Sequence, residues 1–185
     1  MRIIAGKLKG SKLFMPIDKD TRPLKDLVKE SIFNLLIHSN KMSFKFNNSY
    51  VLDLYSGTGS FGIECLSRQT KKVYFVENKN NVLEILKKNI EKFKLNHKAK
   101  IFFGDVFEFN EKQIKFDLIF CDPPYKNQNL YDLIVSIYNK NLLKKEGIII
   151  LHRKKNSEDE FPEFFKFIEE RFYGISKIIY GRFLP

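Results

Sequence analysis

The stretch VLDLYSGTGSFG, residues 51–62, decides the fold of this chain. A short apolar run is followed by a glycine-rich turn and then by residues that open a helix. Its glycines match the spacing G-x-G-x-x-G, and Glu77 lies 20 residues past the first of them. This pattern is typical of sites for adenosine cofactors, where the backbone approaches the ligand and free helix N–H groups face it. A helix-capping turn without a ligand fits the same residues.

The carboxylate of Asp53, near the carboxyl end of this predicted strand, helps to distinguish between possible cofactors. A negative charge there suits a ligand with a cationic amino group better than a pyrophosphate. S-adenosylmethionine (SAM) is such a ligand, whereas a nicotinamide dinucleotide carries a pyrophosphate. The glycine turn and Glu77 serve either ligand, so this stretch alone leaves both cofactors open.

The charge balance favours a polyanionic partner. The chain has 33 Lys plus Arg against 22 Asp plus Glu, for a formal net charge of +11. Because 27 of the basic residues are lysines, biased composition explains part of this excess. Residues 1–17 carry four basic residues and no acid, a local bias that points to contact with nucleic-acid phosphates: Arg2, Lys7, Lys9 and Lys12.

Other classes of protein are disfavoured. Cys65 and Cys121 have neither the spacing of a metal site nor that of a disulfide framework, so we expect no metal. No apolar run approaches the roughly 20 residues that span a bilayer, and the N-terminus lacks the apolar segment of a signal peptide. We expect a cytoplasmic monomer that does not associate with membranes and whose 185 residues form one domain.

Hydrophobic periodicity predicts a basic hairpin or arm over residues 1–20, a helix over 21–37 and an α/β core over 50–185. Apolar strands alternate with amphipathic helices, which is typical of a parallel sheet covered on both faces. We predict a Rossmann-like sheet of seven strands, mostly parallel, whose last strand is antiparallel. The predicted strands are 50–54, 72–77, 99–103, 116–121, 147–151, 172–179 and 181–184, and the last helix is predicted near 160–170.

Four acidic residues lie at or just beyond the carboxyl ends of predicted strands, at the edge where such sheets bind ligands. They are Asp53, Glu77, Asp105 and Asp122. Glu77 would hold the two ribose hydroxyls, and Asp105 with Val106 would lie at the adenine. The alternative for each is a solvated strand-end acid or the cap of the next segment.

The tetrad Asp122-Pro123-Pro124-Tyr125 is the most specific signal in the chain. Two prolines fix the backbone and remove two N–H donors. Asp122 and the Pro123 carbonyl can then accept hydrogen bonds from an amino group, while Tyr125 stacks on a planar base. Acceptors on an aryl amine localise its lone pair and stabilise the charge that grows as it attacks a methyl group. This set favours methylation of an exocyclic amine over hydride transfer.

The order of these motifs resembles the class I SAM-dependent methyltransferases that act on exocyclic amines. Further stretches resemble the bacterial RsmD family, which methylates N2 of a guanine in 16S ribosomal RNA; they are 1–7 (MRIIAGK), Gly10, Leu13, 21–23 (TRP), Asp26, 28–34 (VKESIFN) and 53–59 (DLYSGTG). The resemblance spans essentially the whole chain. It implies 16S rRNA, or a small-subunit assembly intermediate, as the partner.

The resemblance and the motifs together give the expected site. We expect catalytic roles for Asp122, Pro123 and Tyr125, and cofactor contacts at Asp53, Ser56, Gly57, Gly59, Glu77, Asp105 and Val106. We expect RNA contacts at Arg2, Lys7, Lys9, Lys12, Arg22 and Lys29, with Arg22 near the cofactor or the flipped base. The chain departs from the family pattern at Leu24 and Lys25, at Lys29 in place of the usual Arg, and at Tyr55 in place of Phe.

Three other functions use the same features. An adenine-N6 methyltransferase also uses Asp-Pro-Pro-Tyr, but a carboxylate pairs better with the N1–H and N2–H of guanine than with adenine, whose N1 is an acceptor. Glutamine methyltransferases of release factors typically have Asn in place of Asp122. A non-catalytic RNA-binding assembly factor could keep the fold, although the intact Asp122 and glycines argue against it.

Overall fold

The structure is a computed structural model that describes residues 1–16, 24–42, 44–124 and 129–184. The elements of this part of the chain, in order, are α1 (Asp26–His38), β1 (Tyr50–Leu54), α2 (Ser60–Ser67), β2 (Lys72–Glu77), α3 (Asn80–Lys92), β3 (Ala99–Phe103), β4 (Phe116–Cys121), α4 (Leu130–Asn139), β5 (Leu143–Lys154), β6 (Phe165–Tyr173) and β7 (Ser176–Phe183).

The strands of the described residues form one seven-stranded sheet in the order β3-β2-β1-β4-β5-β7-β6. Strand β1 is parallel to β2 and β4, and β4 is parallel to β5. Strand β7 is antiparallel to both of its neighbours, β5 and β6. The strand order reverses between β1 and β4, which is where ligands of such sheets bind. The predicted mostly parallel sheet with an antiparallel last strand is therefore confirmed.

Successive residues of a strand point to opposite faces of the sheet, and in the central strands both faces are buried. Val51 of β1 belongs to the core beneath α1, α2 and α3, and its neighbour Leu52 belongs to the core beneath α4. Phe61 of α2 stacks on Phe120 of β4 with ring centroids 3.9 Å apart. This stack fixes the helix that follows the glycine turn against the central strands.

Residues 1–16 form the predicted hairpin, called the arm below. The Ile3 N–H donates to the Ser11 carbonyl (2.9 Å), and the Leu13 N–H donates to the Met1 carbonyl (3.2 Å). The turn of the arm packs against the end of α2, where a Cβ on Gly6 would lie 2.1 Å from the carbonyl oxygen of Ser67. Only glycine permits this approach, since Gly6 also has a φ of +81°.

The predicted helix near 160–170 is wrong, because the segment forms the edge strand β6. Eight of its nine residues pair with β7, with a register shift at Ile168. Strand β7 is one strand over Ser176–Phe183 instead of the two strands predicted on either side of Gly181. Pairing with β7, which follows after a two-residue turn at Gly174 and Ile175, outweighs the helix-like spacing of the apolar residues. Phe165 at its start is buried, whereas Phe167 is about half exposed.

Helix α1 begins at Asp26, later than the predicted residue 21. The predicted start at Thr21-Arg22-Pro23 lies outside the described residues. The helical periodicity of residues 21–37 predicts that Leu27 shares one apolar face with Leu24 and Val28, but Leu27 is 68% exposed, and that part of the prediction is wrong. Within the described ranges, we find no helix with the length and apolar character needed to cross a membrane.

Candidate active site

A cavity of about 270 Å³ opens at the carboxyl ends of β1, β2, β4 and β5. Six of the predicted site residues line it: Asp53, Ser56, Gly57, Glu77, Asp122 and Pro123. They come from two sides of the cavity. The loop wall consists of Asp53, Ser56, Gly57 and Glu77, and the Asp122 wall consists of Asp122, Pro123, Pro124 and His152.

Glu77 joins the end of β2 to the glycine turn of the loop wall. Its Oε2 accepts a hydrogen bond from the Gly57 N–H (2.8 Å), and its Oε1 accepts from the N–H groups of Asn78 (3.0 Å) and Lys79 (2.9 Å). A carboxylate has about four lone-pair sites, so ribose hydroxyls can still donate to it. Glu77 therefore shapes the turn and remains able to bind a sugar.

Gly57 leaves open space on the cavity side of the turn. A Cβ placed there meets no atom nearer than the Tyr55 carbonyl oxygen, at 4.0 Å. Its φ of +56° lies in the left-handed region, as does the φ of +58° at Tyr55. The backbone at Gly57 is therefore accessible to a ligand.

Asp53 is a buried carboxylate at the floor of the cavity. Its Oδ2 accepts a hydrogen bond from the Gly62 N–H in α2 (2.9 Å). Burial raises the pKa of Asp53 well above its usual value, the Gly62 hydrogen bond opposes this rise, and the charges of Asp122 and Glu77 add to it. A cationic group in the cavity would stabilise the ionised form of this carboxylate.

The Asp122 wall follows β4 and the adjacent part of β5. The Asp122 side chain is 23% exposed, and its Oδ1 lies 2.8 Å from Nδ1 of His152. Pro123 is buried and Pro124 is exposed. Tyr125, the third predicted catalytic residue, lies outside the described residues. Asp122 and Pro123 thus face the same cavity as the glycine turn.

His152 was missed by the sequence reasoning, although the same rule that selected the strand-end acids could have found it. Leu151 of β5 pairs with Cys121 of β4, so His152 and Asp122 occupy equivalent positions on neighbouring strands. The predicted fifth strand ended at Leu151, one residue before this histidine. A list of all polar residues just past strand ends would have included it.

Three predicted cofactor residues do not line the cavity. A Cβ on Gly59 would lie 2.5 Å from Leu86, so this glycine faces the core. Val106 is buried with the α4 core, and the exposed Asp105 accepts a hydrogen bond from the Phe107 N–H (2.8 Å). Both nevertheless follow β3 beside Glu77, whose carbonyl accepts from the Gly104 N–H (3.1 Å). Their contact with adenine stays a prediction.

The arm contributes to the cavity, which the sequence reasoning did not anticipate. Met1, Met15 and Leu24 line it together with the two walls. The buried amide of Asn89 joins the arm to the glycine turn: its Nδ2 donates to the carbonyls of Phe14 (3.1 Å) and Thr58 (3.0 Å). The sequence signal for Asn89 is its position on the apolar stripe of α3, seven residues after Val82 and three after Leu86.

The exposed basic residues of the arm are Arg2, Lys7, Lys9 and Lys12. Lys7 lies at the turn of the arm, where its N–H donates to the Ser67 carbonyl (2.9 Å). Ser67 ends α2, whose start lines the cavity, so this turn lies roughly 12 Å from the cavity along the helix. Arg22 lies outside the described residues.

The structure contradicts the predicted RNA contact of Lys29, whose side chain is fully buried. Its Nζ donates to the Arg2 carbonyl (2.7 Å) and the Ser60 hydroxyl (3.2 Å), and it lies 3.8 Å from Oε2 of Glu64. Burial lowers the pKa of Lys29, and the Glu64 charge partly offsets this effect. Lys29 therefore links α1 to α2 and to the arm. It is buried because the arm covers the helix face on which it lies.

Glu64 also binds the backbone of the arm. Its carboxylate accepts hydrogen bonds from the Ile4 N–H (2.7 Å) and the Ala5 N–H (3.0 Å), and from Nε of Arg68 (2.9 Å). The arm is therefore held by a buried charge on α2. Among the described residues, no group of three or more His, Cys, Asp or Glu side chains is placed to hold a metal ion.

Comparison with known proteins gives consistent results. Residues 1–182 match the model of a family described as Conserved hypothetical protein 95. The ribosomal RNA small subunit methyltransferase D of Haemophilus influenzae is 34% identical over 180 residues, which cover 95% of this chain and 90% of that protein. The Bacillus subtilis protein YlbH is 34% identical over 167 residues, covering 88% and 86%. A solved Haemophilus influenzae structure described as a methylase has a TM-score of 0.78 at 32% identity, covering 100% and 98%.

Proposed function

The chain belongs to the Conserved hypothetical protein 95 family, and from this premise we propose that it transfers a methyl group from SAM to N2 of a guanine in 16S rRNA. The observation that carries the proposal is one cavity shared by the glycine turn and Asp122-Pro123-Pro124. The name of the Haemophilus influenzae relative, a ribosomal RNA small subunit methyltransferase, supports the same substrate class.

The loop wall fits SAM. The open space beside Gly57 admits a ligand, and the Glu77 carboxylate suits vicinal hydroxyls. The buried Asp53 carboxylate suits the cationic amino group of SAM, because an ion pair between them would compensate for the hydration that both charges lose in the cavity. When bound, SAM supplies an electrophilic methyl group and leaves as a neutral thioether.

The Asp122 wall suits the amine that receives the methyl group. The lone pair of a guanine N2 amine is delocalised into the ring, which makes the amine a poor nucleophile. Asp122 and the Pro123 carbonyl accept hydrogen bonds from this amine and stabilise the positive charge that develops on it. A carboxylate also pairs with the adjacent N1–H, an interaction that adenine does not offer. The wall therefore favours guanine over adenine.

The arm suits the rRNA partner. A base reaches such a cavity only after it leaves its stack, at a cost of a few kcal/mol. The exposed charges of Arg2, Lys7, Lys9 and Lys12 lie outside the cavity and are placed to bind phosphates. We propose that the arm anchors 16S rRNA, or a small-subunit assembly intermediate, while the cavity receives the target base.

The test is to incubate the protein with SAM and 16S rRNA, as naked RNA and as small-subunit particles, and to analyse nucleosides by mass spectrometry. We expect N2-methylguanine at one position and none with Asp122→Ala. N6-methyladenine instead would assign the adenine reaction. SAM binding by calorimetry without methylation of any substrate would support a non-catalytic assembly factor.

A further inference from the structure

His152 is the middle member of a hydrogen-bonded chain of three side chains, which runs from Asp122 at the end of β4 through β5 to Ser176 on β7. Its Nδ1 is 2.8 Å from Oδ1 of Asp122, and its Nε2 is 2.8 Å from the hydroxyl of Ser176 on β7. His152 and Ser176 are both buried; Asp122 and His152 line the cavity, and Ser176 lies behind them. The strand pairing sets this arrangement, because Leu151 pairs with Cys121 on one side and with Ile179 on the other.

The hydrogen bonds define the orientation of the imidazole. An ionised carboxylate only accepts hydrogen bonds, so Nδ1 must carry a proton and donate it to Asp122. In the neutral ring, Nε2 then accepts from the Ser176 hydroxyl. Protonation of Nε2 would leave the Nδ1–H bond to Asp122 in place, with Ser176 as acceptor.

We infer that His152 is a positioning residue that holds one carboxylate oxygen of Asp122, so that the other is aimed at the target amine. This inference rests on the proposed function. Asp122 is the first residue past the end of β4, so the pairing of the strand does not fix its side chain. A preorganised acceptor stabilises the transition state without having to reorient during the reaction. The bond from His152 supplies that preorganisation.

The contact with Ser176 makes His152 rigid as well. The hydrogen bond between Nε2 and the Ser176 hydroxyl restrains rotation of the imidazole. Ser176 is held in turn because β7 pairs with β5. The antiparallel extension of the sheet thus supports a residue of the cavity. This gives β7 a role in the active site, although Ser176 does not line the cavity.

The first test measures kcat, the KM for 16S rRNA and SAM affinity in His152→Ala. We expect kcat to fall by about ten- to 100-fold, since small misplacements of a reacting group have effects of this size. SAM affinity should stay near that of the parent. The melting temperature should fall, because the change removes a buried, hydrogen-bonded side chain, so kcat is measured well below the melting temperature of the variant. His152→Asn places an amide N–H close to the position of Nδ1, so it should recover most of the lost kcat. His97→Ala, at an exposed histidine, is the control.

The second test needs no activity. The chain has three histidines, and His38 and His97 are exposed, so ¹⁵N-histidine spectra resolve His152. We expect a proton on Nδ1 with a downfield shift that Asp122→Ala removes. If the role of His152 is purely structural, His152→Ala lowers the melting temperature but leaves the kcat of the folded protein unchanged. That result would overturn the inference.

The two hypotheses fail in different ways. If the parent protein does not methylate 16S rRNA, the proposed function is wrong whatever the spectra show. If the parent is active and kcat of His152→Ala equals that of the parent, the positioning role of His152 is wrong and the proposed function stands. A ring proton found only on Nε2 would also overturn the inference.

Discussion

The two walls of the cavity are built in different ways. In the loop wall, the buried carboxylate of Asp53 accepts a hydrogen bond from the Gly62 N–H, and the buried carboxylate of Glu77 accepts one from the Gly57 N–H. In the Asp122 wall, the carboxylate of Asp122 is bound by the side chain of His152 and is partly exposed. The loop wall is thus fixed by the backbone, and the Asp122 wall by side chains.

This difference separates two properties of the enzyme. A change in the loop wall alters the shape of the turn and should affect cofactor binding. A change in the Asp122 wall removes a contact to the amine and should affect the rate of methyl transfer. Variants in the two walls can therefore show whether binding and rate are independent.

The largest effect is expected for Asp122→Ala. Loss of one preorganised acceptor should lower kcat by roughly 100-fold or more, while SAM affinity stays near that of the parent. Steady-state kinetics and calorimetry measure the two quantities. Asp132→Ala, at an exposed acid in the first turn of α4, serves as the control. Near-parent kcat in Asp122→Ala would remove Asp122 from the reaction.

The next effect is expected for Gly57→Ala, which tests the loop wall. Its Cβ would meet no protein atom nearer than 4.0 Å but would occupy the space beside the turn, so SAM affinity should fall by about tenfold or more. Because Gly57 has a φ of +56°, Ala there is also strained, by about 1–2 kcal/mol, and the melting temperature should fall as well. Gly59→Ala is the contrast, because its Cβ would collide with Leu86. We expect Gly59→Ala chiefly to lower the melting temperature. Unchanged SAM affinity in Gly57→Ala would show that the cofactor does not approach the turn.

A smaller effect is expected for the joint change of Lys7, Lys9 and Lys12 to Ala, which affects neither wall. Each phosphate contact contributes roughly 0.7 to 0.9 log units of affinity per log unit of salt, so the salt slope of rRNA binding should become shallower by about two to three units. SAM affinity should not change. The measurement is rRNA binding over a salt series.

Two controls make this experiment specific. Replacement of the exposed Lys115, Lys144 and Lys145 changes the net charge equally and should leave the slope unchanged. Lys29→Met should lower the melting temperature without changing the slope, because the Lys29 ammonium is buried. An equal loss of slope in the arm variant and the first control would mean that total charge, not the arm, governs binding.

The smallest effect concerns pH. A cation binds the ionised form of Asp53, whose pKa is raised by burial in the protein without ligand. SAM binding should therefore weaken as the pH falls through this raised pKa, by less than tenfold per pH unit for a single proton. Calorimetry over a pH series should show a flatter profile for Asp53→Asn, whose amide oxygen can still accept from Gly62. Identical profiles would exclude Asp53 as the titrating group.

The parallel half of the sheet could be predicted because its signals are local. Each strand from β1 to β4 is a short apolar run, and the acids Asp53, Glu77 and Asp122 mark strand ends directly in the sequence. The β6 strand was missed because the spacing of Phe161, Phe164, Phe165 and Ile168 is that of a helix, although β6 pairs with β7 across a turn of only two residues. Gly174 in that turn was the local signal for a hairpin.

The buried polar residues were the hardest part of the site to predict. Lys29 was expected to face RNA, but it lies on the buried face of α1 with Ile32 and Phe33, and the arm folds over it. Asn89 lies on the buried face of α3, three residues after Leu86, and its partners come from the arm and the glycine turn. The helical spacing could have indicated that both side chains are buried, whereas their polar partners, which lie far away in the chain, could not be predicted from it.

The anchoring of the arm has a thermodynamic consequence. Glu64 ties the arm to α2, and Asn89 ties it to the glycine turn, so the arm and the cofactor cavity share bonded partners. Whatever free energy of coupling passes through these bonds must be reciprocal: if bound RNA changes SAM affinity by some factor, bound SAM changes RNA affinity by the same factor. Exchange of SAM for the demethylated product would then also set how long the rRNA stays bound.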